Sequence, residues 1–148
     1  MSLLTLATAD DIDKLMPMVA GLHLQLGVSQ SEEQRRAALE MLYAEDIQAA
    51  IWLIGPSRSP VGYIAVSFGY SIELGGRDAM IDEFFIRQAV RGRGMGTQTL
   101  QILLPMLRQM GVKAVHMEVD RNTPDARNLY ARSGFSPRDS YHLMTRPL

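Results

Sequence analysis

Between residues 47 and 86 three segments rich in aliphatic and aromatic residues follow one another, at 47–54, 61–72 and 79–86. Gly55-Pro56-Ser57-Arg58-Ser59-Pro60 separates the first two, and Gly75-Gly76-Arg77-Asp78 separates the last two. Both separators are turn sequences, so the region predicts three antiparallel strands in a meander. Before it, residues 3–7 form a short apolar strand candidate. Asp10 or Asp11 can then cap a helix whose apolar positions Ile12, Leu15, Met16, Val19 and Leu22 recur at helical spacing. Pro17 should kink that helix or remove a hydrogen bond. Ser31 caps a second helix over residues 31–44, with Glu32 and Glu33 near its positive end.

After the meander, residues 95–110 read as a helix with Leu100, Leu103, Leu104 and Leu107 as its buried stripe, Pro105 near its end and Gly111 as its stop. Residues 114–119 alternate as a strand. Thr123-Pro124 opens a last helix that ends at Gly134, and residues 141–144 supply a final strand. The order β-α-α-β-β-β-α-β-α-β predicts a mixed α/β (α+β) fold. A length of 148 residues with no long Pro/Gly/Ser linker fits a single domain over residues 1–148.

Composition excludes several functions. The chain has no cysteine, which removes disulfides, thiolate metal sites and acyl-cysteine chemistry and is compatible with a reducing compartment. A net charge of −1 gives no broad basic field for nucleic acid, although thirteen of the fifteen basic residues are Arg. No apolar run approaches the ~20 residues of a membrane span. Residues 1–11 lack the basic start and apolar core of a signal peptide, so a soluble, cytoplasmic protein is expected. His23, His116 and His142 show no metal-ligand spacing and read as structural, and no metal is expected. The ten Met residues and Trp52 read as core. Tyr63 also reads as core, although Tyr63, Ser67 and Tyr70 could line a cleft.

The segment richest in chemistry runs from Ile81 to Thr97, where a strand leads into Arg91-Gly92-Arg93-Gly94-Met95-Gly96 and a helix begins at once. Glycines let a backbone approach a ligand closely, and the first N–H groups of a helix are unpaired and carry partial positive charge. Such a turn is ready for a phosphate or diphosphate, and Arg87, Arg91 and Arg93 add cationic forks beside it. The P-loop pattern is absent. The spacing G-x-G-x-G at 92, 94 and 96 is not the dinucleotide fingerprint G-x-G-x-x-G.

Arg91-x-x-Gly94-x-Gly96 resembles the diphosphate-binding motif Q/R-x-x-G-x-G/A of the GNAT acetyltransferases. Glu118-Val119-Asp120-x-Asn122, Ala126, Asn128-Leu129-Tyr130 and Gly134-Phe135 are similar to the family's second signature, an Asn after the fifth strand followed by A-x-x-L-Y and G-F. Where family members often carry Pro and an aromatic before the turn, this chain has Gln88-Ala89-Val90. The resemblance implies a mostly antiparallel sheet of six to seven strands, with helices on both faces and a splay between the fourth and fifth strands. It implies acetyl-CoA as acyl donor. Backbone groups of Phe84, Phe85 and Ile86 would pair with the pantetheine arm. Amides of Arg91, Gly92, Arg93, Gly94, Met95, Gly96 and Thr97 would wrap the diphosphate, and Asn122 would contact the cofactor arm.

Tyr130 matches the family tyrosine near the coenzyme sulfur and is the expected general acid. The base is open among Asp82, Glu83 and Glu118, with the weight on the 82/83 pair, which is similar to the acidic pair of polyamine-type members. Glu118 matches a base of ribosomal-protein N-terminal acetyltransferases. Adjacent strand residues point to opposite faces, so Asp82 and Glu83 are not expected to face one substrate together. A small cationic amine is the expected acceptor. A peptide or protein amine, a non-catalytic acyl-CoA sensor and a structural interaction domain are the alternatives. Family analogy adds a homodimer.

Overall fold

The computed structural model describes residues 2–148, and the chain forms two compact units, Met1–Glu118 and Val119–Leu148. The first unit runs β1 (Leu4–Leu6), α1 (Ile12–Leu26), α2 (Glu32–Ala44), β2 (Ala49–Ile54), β3 (Gly62–Ser71), β4 (Gly76–Ile86), α3 (Met95–Gln109) and β5 (Val112–Met117). The second holds α4 (Pro124–Arg132) and the C-terminal segment. Among the described residues no helix is long and apolar enough to cross a membrane.

The meander forms, but its second reversal falls at 72–75, and residues 76–78 of the expected turn pair with β3 as the start of β4. The five strands lie in the order β1-β2-β3-β4-β5, antiparallel except for the parallel β4–β5 pair. Five strands form, one fewer than the element order predicts and short of the six to seven that the resemblance implies, since residues 141–144 make none. Tyr141, Leu143 and Met144 stay exposed instead. A strand is stabilised by its ladder, so a short β-prone run without a neighbour has nothing to fix it.

Alternation along β2 and β3 sorts the core. Ile51, Leu53, Tyr63 and Ala65 join Leu15, Met18, Val19 and Leu22 of α1 and Leu39 of α2 in one apolar cluster. Trp52, Ile54, Ile64 and Val66 occupy the alternate positions and are buried too. The stripe on α3, Leu100, Leu103 and Leu107, is fully buried. α1 runs without a break through Pro17 and α3 through Pro105, so neither proline ends its helix. Gly62 is dictated by closeness. A Cβ there would collide with the Phe85 carbonyl oxygen and come within 3.1 Å of the Ile86 Cα. At Gly21 of α1 a Cβ would lie 3.1 Å from the Phe85 ring, so that helix packs tightly onto the end of β4.

Candidate active site

β4 ends at Ile86, and a short 3-10 turn, Gln88–Val90, leads through residues 91–94 into α3. Gly92 and Gly94 have φ of 77° and 79°, left-handed values that side-chain-bearing residues rarely adopt. A Cβ at either position would meet nothing within 4 Å, so torsion and not packing requires glycine there. The Arg91 amide donates to the Gln88 carbonyl at 3.2 Å, and the Gln98 amide donates to the Gly94 carbonyl at 3.0 Å. Among the described residues, the amides of residues 92–97 find no backbone acceptor. These consecutive donors stand at the positive end of a 15-residue helix, an arrangement suited to a diphosphate. The available amides begin at Gly92, one residue later than the motif implies, because the Arg91 amide already has a partner.

The Arg91 side chain braces the turn. Its Nε donates to the Ile86 carbonyl at 2.7 Å, its Nη2 donates to Gln25 Oε1 at 2.9 Å, and its guanidinium carbon lies 5.6 Å from the centre of the Phe85 ring. Three of its five N–H donors remain for an anion.

The parallel β4–β5 pairing ends at Ile81 and Met117, whereas β4 continues to Ile86. On the other side Phe84, Phe85 and Ile86 stay paired with Ile64, Tyr63 and Gly62 of β3. The β5 side of residues 82–86 is therefore an open strand edge, as the splay expected between the fourth and fifth strands requires.

The acidic pair sits at an irregularity. Glu83 pairs with Ala65 and Ile81 with Val66, so Asp82 is an extra residue in β4, a β-bulge. Alternation is interrupted at that point. The expectation that the two carboxylates face apart assumed a regular strand, and the bulge removes that premise at this point. Both carboxylates act on the Tyr63 hydroxyl, and Asp82 feels Glu83, Glu118 and His23.

Glu83 is held from two sides. Tyr63 donates its hydroxyl to Oε1 at 2.9 Å, and His23 Nε2 lies 2.6 Å from Oε2. Burial, then the charge of Glu83, drive the Tyr63 hydroxyl far above its ordinary pKa, so it remains a donor at all working pH values. His23 is 8 % exposed, and its Nδ1 is buried without a partner. The Glu83 side chain is 22 % exposed and reaches solvent. The Asp82 carboxyl is pushed above the usual carboxylate range, first by desolvation and then by the charges of Glu83 and Glu118. Water still reaches Asp82, an exposed residue, so screening tempers that shift.

The structure thus gathers Asp82, Glu83 and Glu118 of the candidate residues and adds His23 and Tyr63, which read as structural and core in the sequence. One signal pointed to His23: it continues the Met16–Val19 stripe of α1, and a buried imidazole needs a partner. His116, on β5, lies 3.3 Å from Asp78 Oδ2. Asn122 and Tyr130 belong to the second unit. The Asn122 amide donates to Asp120 Oδ1 at 2.8 Å, and the Tyr130 ring meets that of Phe135 edge-on at 6.0 Å. Burial raises the Tyr130 hydroxyl above its ordinary pKa, so it keeps its proton at neutral pH.

A five-stranded sheet with one parallel pair that parts near a glycine-rich helix start is a mixed α/β architecture with a turn suited to an anion. The sequence matches the acetyltransferase (GNAT) family over residues 20–135, and the chain belongs to that family. It is 28 % identical over 86 residues to the uncharacterised N-acetyltransferase YobR of Bacillus subtilis (strain 168), a match covering 58 % of this chain and 32 % of that protein. The chain thus spans about a third of that relative's length. Among solved structures it resembles integron cassette protein HFX_CASS3 from the mobile metagenome of Cole Harbour Salt Marsh. The TM-score is 0.84 at 27 % identity, over 99 % of this chain and 90 % of that one. It also shares its fold with a predicted acetyltransferase from Clostridium acetobutylicum solved with acetyl-CoA. There the TM-score is 0.77 at 15 % identity, over 96 % of this chain and 94 % of that one.

Proposed function

We propose that the chain is an N-acetyltransferase that moves the acetyl group of acetyl-CoA onto the primary amine of a small cation, with both substrates bound together. The observation that carries the reading is the run of partnerless amides at residues 92–97 beside an open edge of β4. A diphosphate and a peptide-like pantetheine arm are the chemistry such donors fit. The Clostridium acetobutylicum structure with acetyl-CoA supports the same donor.

When bound, acetyl-CoA supplies an already activated acyl group, so the chain has to align, deprotonate and protonate. The amides of residues 92–97 hold the diphosphate, and the backbone of Phe84, Phe85 and Ile86 orients the arm. Asn122 contacts it, as the family motif implies. A β4 amide polarises the thioester carbonyl. The carboxylates around the bulge attract a cation, and one of them takes its proton. An alkylammonium of pKa about 10 needs that help at neutral pH. Tyr130, protonated at neutral pH, donates to the departing sulfur. The three neighbouring carboxylates Asp82, Glu83 and Glu118 favour a small cationic amine over a neutral acceptor.

The test is a panel of primary amines scored by release of free thiol from acetyl-CoA. Cationic amines should be acetylated, with initial-rate lines for the two substrates that intersect. Parallel lines would rule out the ternary scheme. Stabilisation by acetyl-CoA with no thiol release from any amine would instead indicate a binding module.

A further inference from the structure

Arg91 stands directly before the run of free amides, and two separate chains of contact join its guanidinium to Glu83. One runs through α1. Arg91 Nη2 donates to Gln25 Oε1 at 2.9 Å, and in the same stretch of helix His23 Nε2 lies 2.6 Å from Glu83 Oε2. The other runs through the sheet. The Arg91 guanidinium carbon is 5.6 Å from the centre of the Phe85 ring, and that ring is 6.1 Å from the ring of Tyr63. The Tyr63 hydroxyl then donates to Glu83 Oε1 at 2.9 Å. The circuit closes at Gly21 of α1, where a Cβ would lie 3.1 Å from the Phe85 ring.

The two chains differ in how firmly they are held. Tyr63 is completely buried, and its strand is paired on both sides, so the sheet route is fixed by packing. The end of α1 is not. Leu24 is 85 % exposed and Leu26 62 %, so past His23 neither leucine anchors the helix. Its last turn is instead closed on itself. With Gly27 at φ 72°, the Gly27 amide donates to the Leu24 carbonyl at 3.3 Å and the Val28 amide to the His23 carbonyl at 2.8 Å. Residues 23–28 therefore form one piece. Among the described residues, the Gln25–Arg91 bond is the only side-chain hydrogen bond that residues 24–28 make. A turn with so few buried contacts comes loose at low cost.

We propose, building on the acetyltransferase reading, that Gln25 is a positioning residue through which the occupied coenzyme site sets the acceptor side. A diphosphate held on residues 92–97 steadies Arg91, Arg91 steadies the last turn of α1 through Gln25, and that turn holds His23 against Glu83. The role is indirect, because the Gln25 side chain is spent on Arg91. The two-state element is the capped turn, docked or released, and each site biases it. Such a coupling is reciprocal, so whatever fixes Glu83 favours the coenzyme by the same factor. One exposed hydrogen bond carries it, and the factor is about two- to tenfold.

Nitrogen-15 NMR of the histidine rings during titration with CoA, which fills the site without transferring an acyl group, reads the link on α1 itself. The His23 signal, assigned by its loss in His23→Asn, should shift as CoA saturates the wild type. In Gln25→Ala, CoA should still bind, about two- to tenfold more weakly by calorimetry, while the shift at saturation largely vanishes. Gln25→Glu keeps an acceptor for Arg91 and should retain the shift even though its charge disfavours the diphosphate. Loss of affinity alone does not produce that pattern. An equal shift in wild type and Gln25→Ala at saturation overturns the proposal and leaves the acetyltransferase reading intact. So does an unmoved His23 signal in wild type that calorimetry shows to be loaded with CoA. Absence of CoA binding to wild type overturns the coenzyme reading and the coupling with it.

Discussion

Arg91 Nη2 lies 2.9 Å from Gln25 Oε1, a hydrogen bond between residues 66 positions apart that ties the glycine-rich turn to the last turn of α1. The same guanidinium closes onto the Ile86 carbonyl at 2.7 Å. The turn that presents the free amides is therefore braced from α1 and from β4. Gln25→Ala should weaken acetyl-CoA binding about two- to tenfold, the size of one exposed hydrogen bond. Arg91→Ala should weaken it more, since it removes both braces and a cation. Calorimetric titration of the two variants checks the order.

Gly62→Ala should damage the site through the sheet. The new methyl would collide with the Phe85 carbonyl, so β3 and β4 must separate where β4 offers its open edge. A destabilisation of about 1–3 kcal/mol is expected from overpacking of this kind. Urea denaturation should show a lower midpoint with an unchanged slope, together with weaker acetyl-CoA binding.

Asp82→Asn should make the folded chain more stable at neutral pH even as it lowers activity. A carboxyl whose pKa rises on folding favours the native state at low pH, below its unfolded value, and that contribution is lost as pH rises through the raised folded value. Above that value the ionised Asp82 is a net cost, set by desolvation and by Glu83 and Glu118, which the amide does not carry. Melting temperatures of wild type and variant should converge as pH is lowered and diverge above the carboxylate range. Equal separation at all pH values would remove the electrostatic explanation.

Tyr130→Phe keeps the ring that packs edge-on against Phe135 and deletes only the hydroxyl, so the fold should be unaffected. If that hydroxyl protonates the departing thiolate, kcat should fall by about 10²-fold or more, with acetyl-CoA affinity little changed. Full activity with an acetylated amine would remove Tyr130 from the mechanism.

Most of the fold could be read from the chain because local signals agreed with one another. The turn sequence at 55–60 sits where the meander first reverses, the second reversal falls at 72–75 instead of the expected 75–78, and the glycine-rich turn precedes α3 as its composition requires. Ser31 caps α2 by accepting from the Gln34 amide at 3.1 Å. The candidate site was legible only in part. Tyr63 and Glu83 are brought together by cross-strand register, His23 by the packing of α1, and the bulge at Asp82 by one missing pair in a ladder. None of these long-range relations leaves a local pattern. The run at 141–144 failed as a strand for the same reason: β propensity was visible, but a neighbouring ladder is not a property of the segment itself.

Titration of the protein with acetyl-CoA by isothermal calorimetry, alongside Gly94→Ala, tests the whole account most directly. Gly94 caps α3 at φ 79°, where a Cβ meets no neighbour but carries a torsional penalty of about 1–2 kcal/mol. Wild type should bind one acetyl-CoA per chain, and the variant should fold yet bind it clearly more weakly. No heat of binding to wild type, or equal affinity in the variant, would contradict the assignment of the amides at residues 92–97 to the coenzyme's diphosphate.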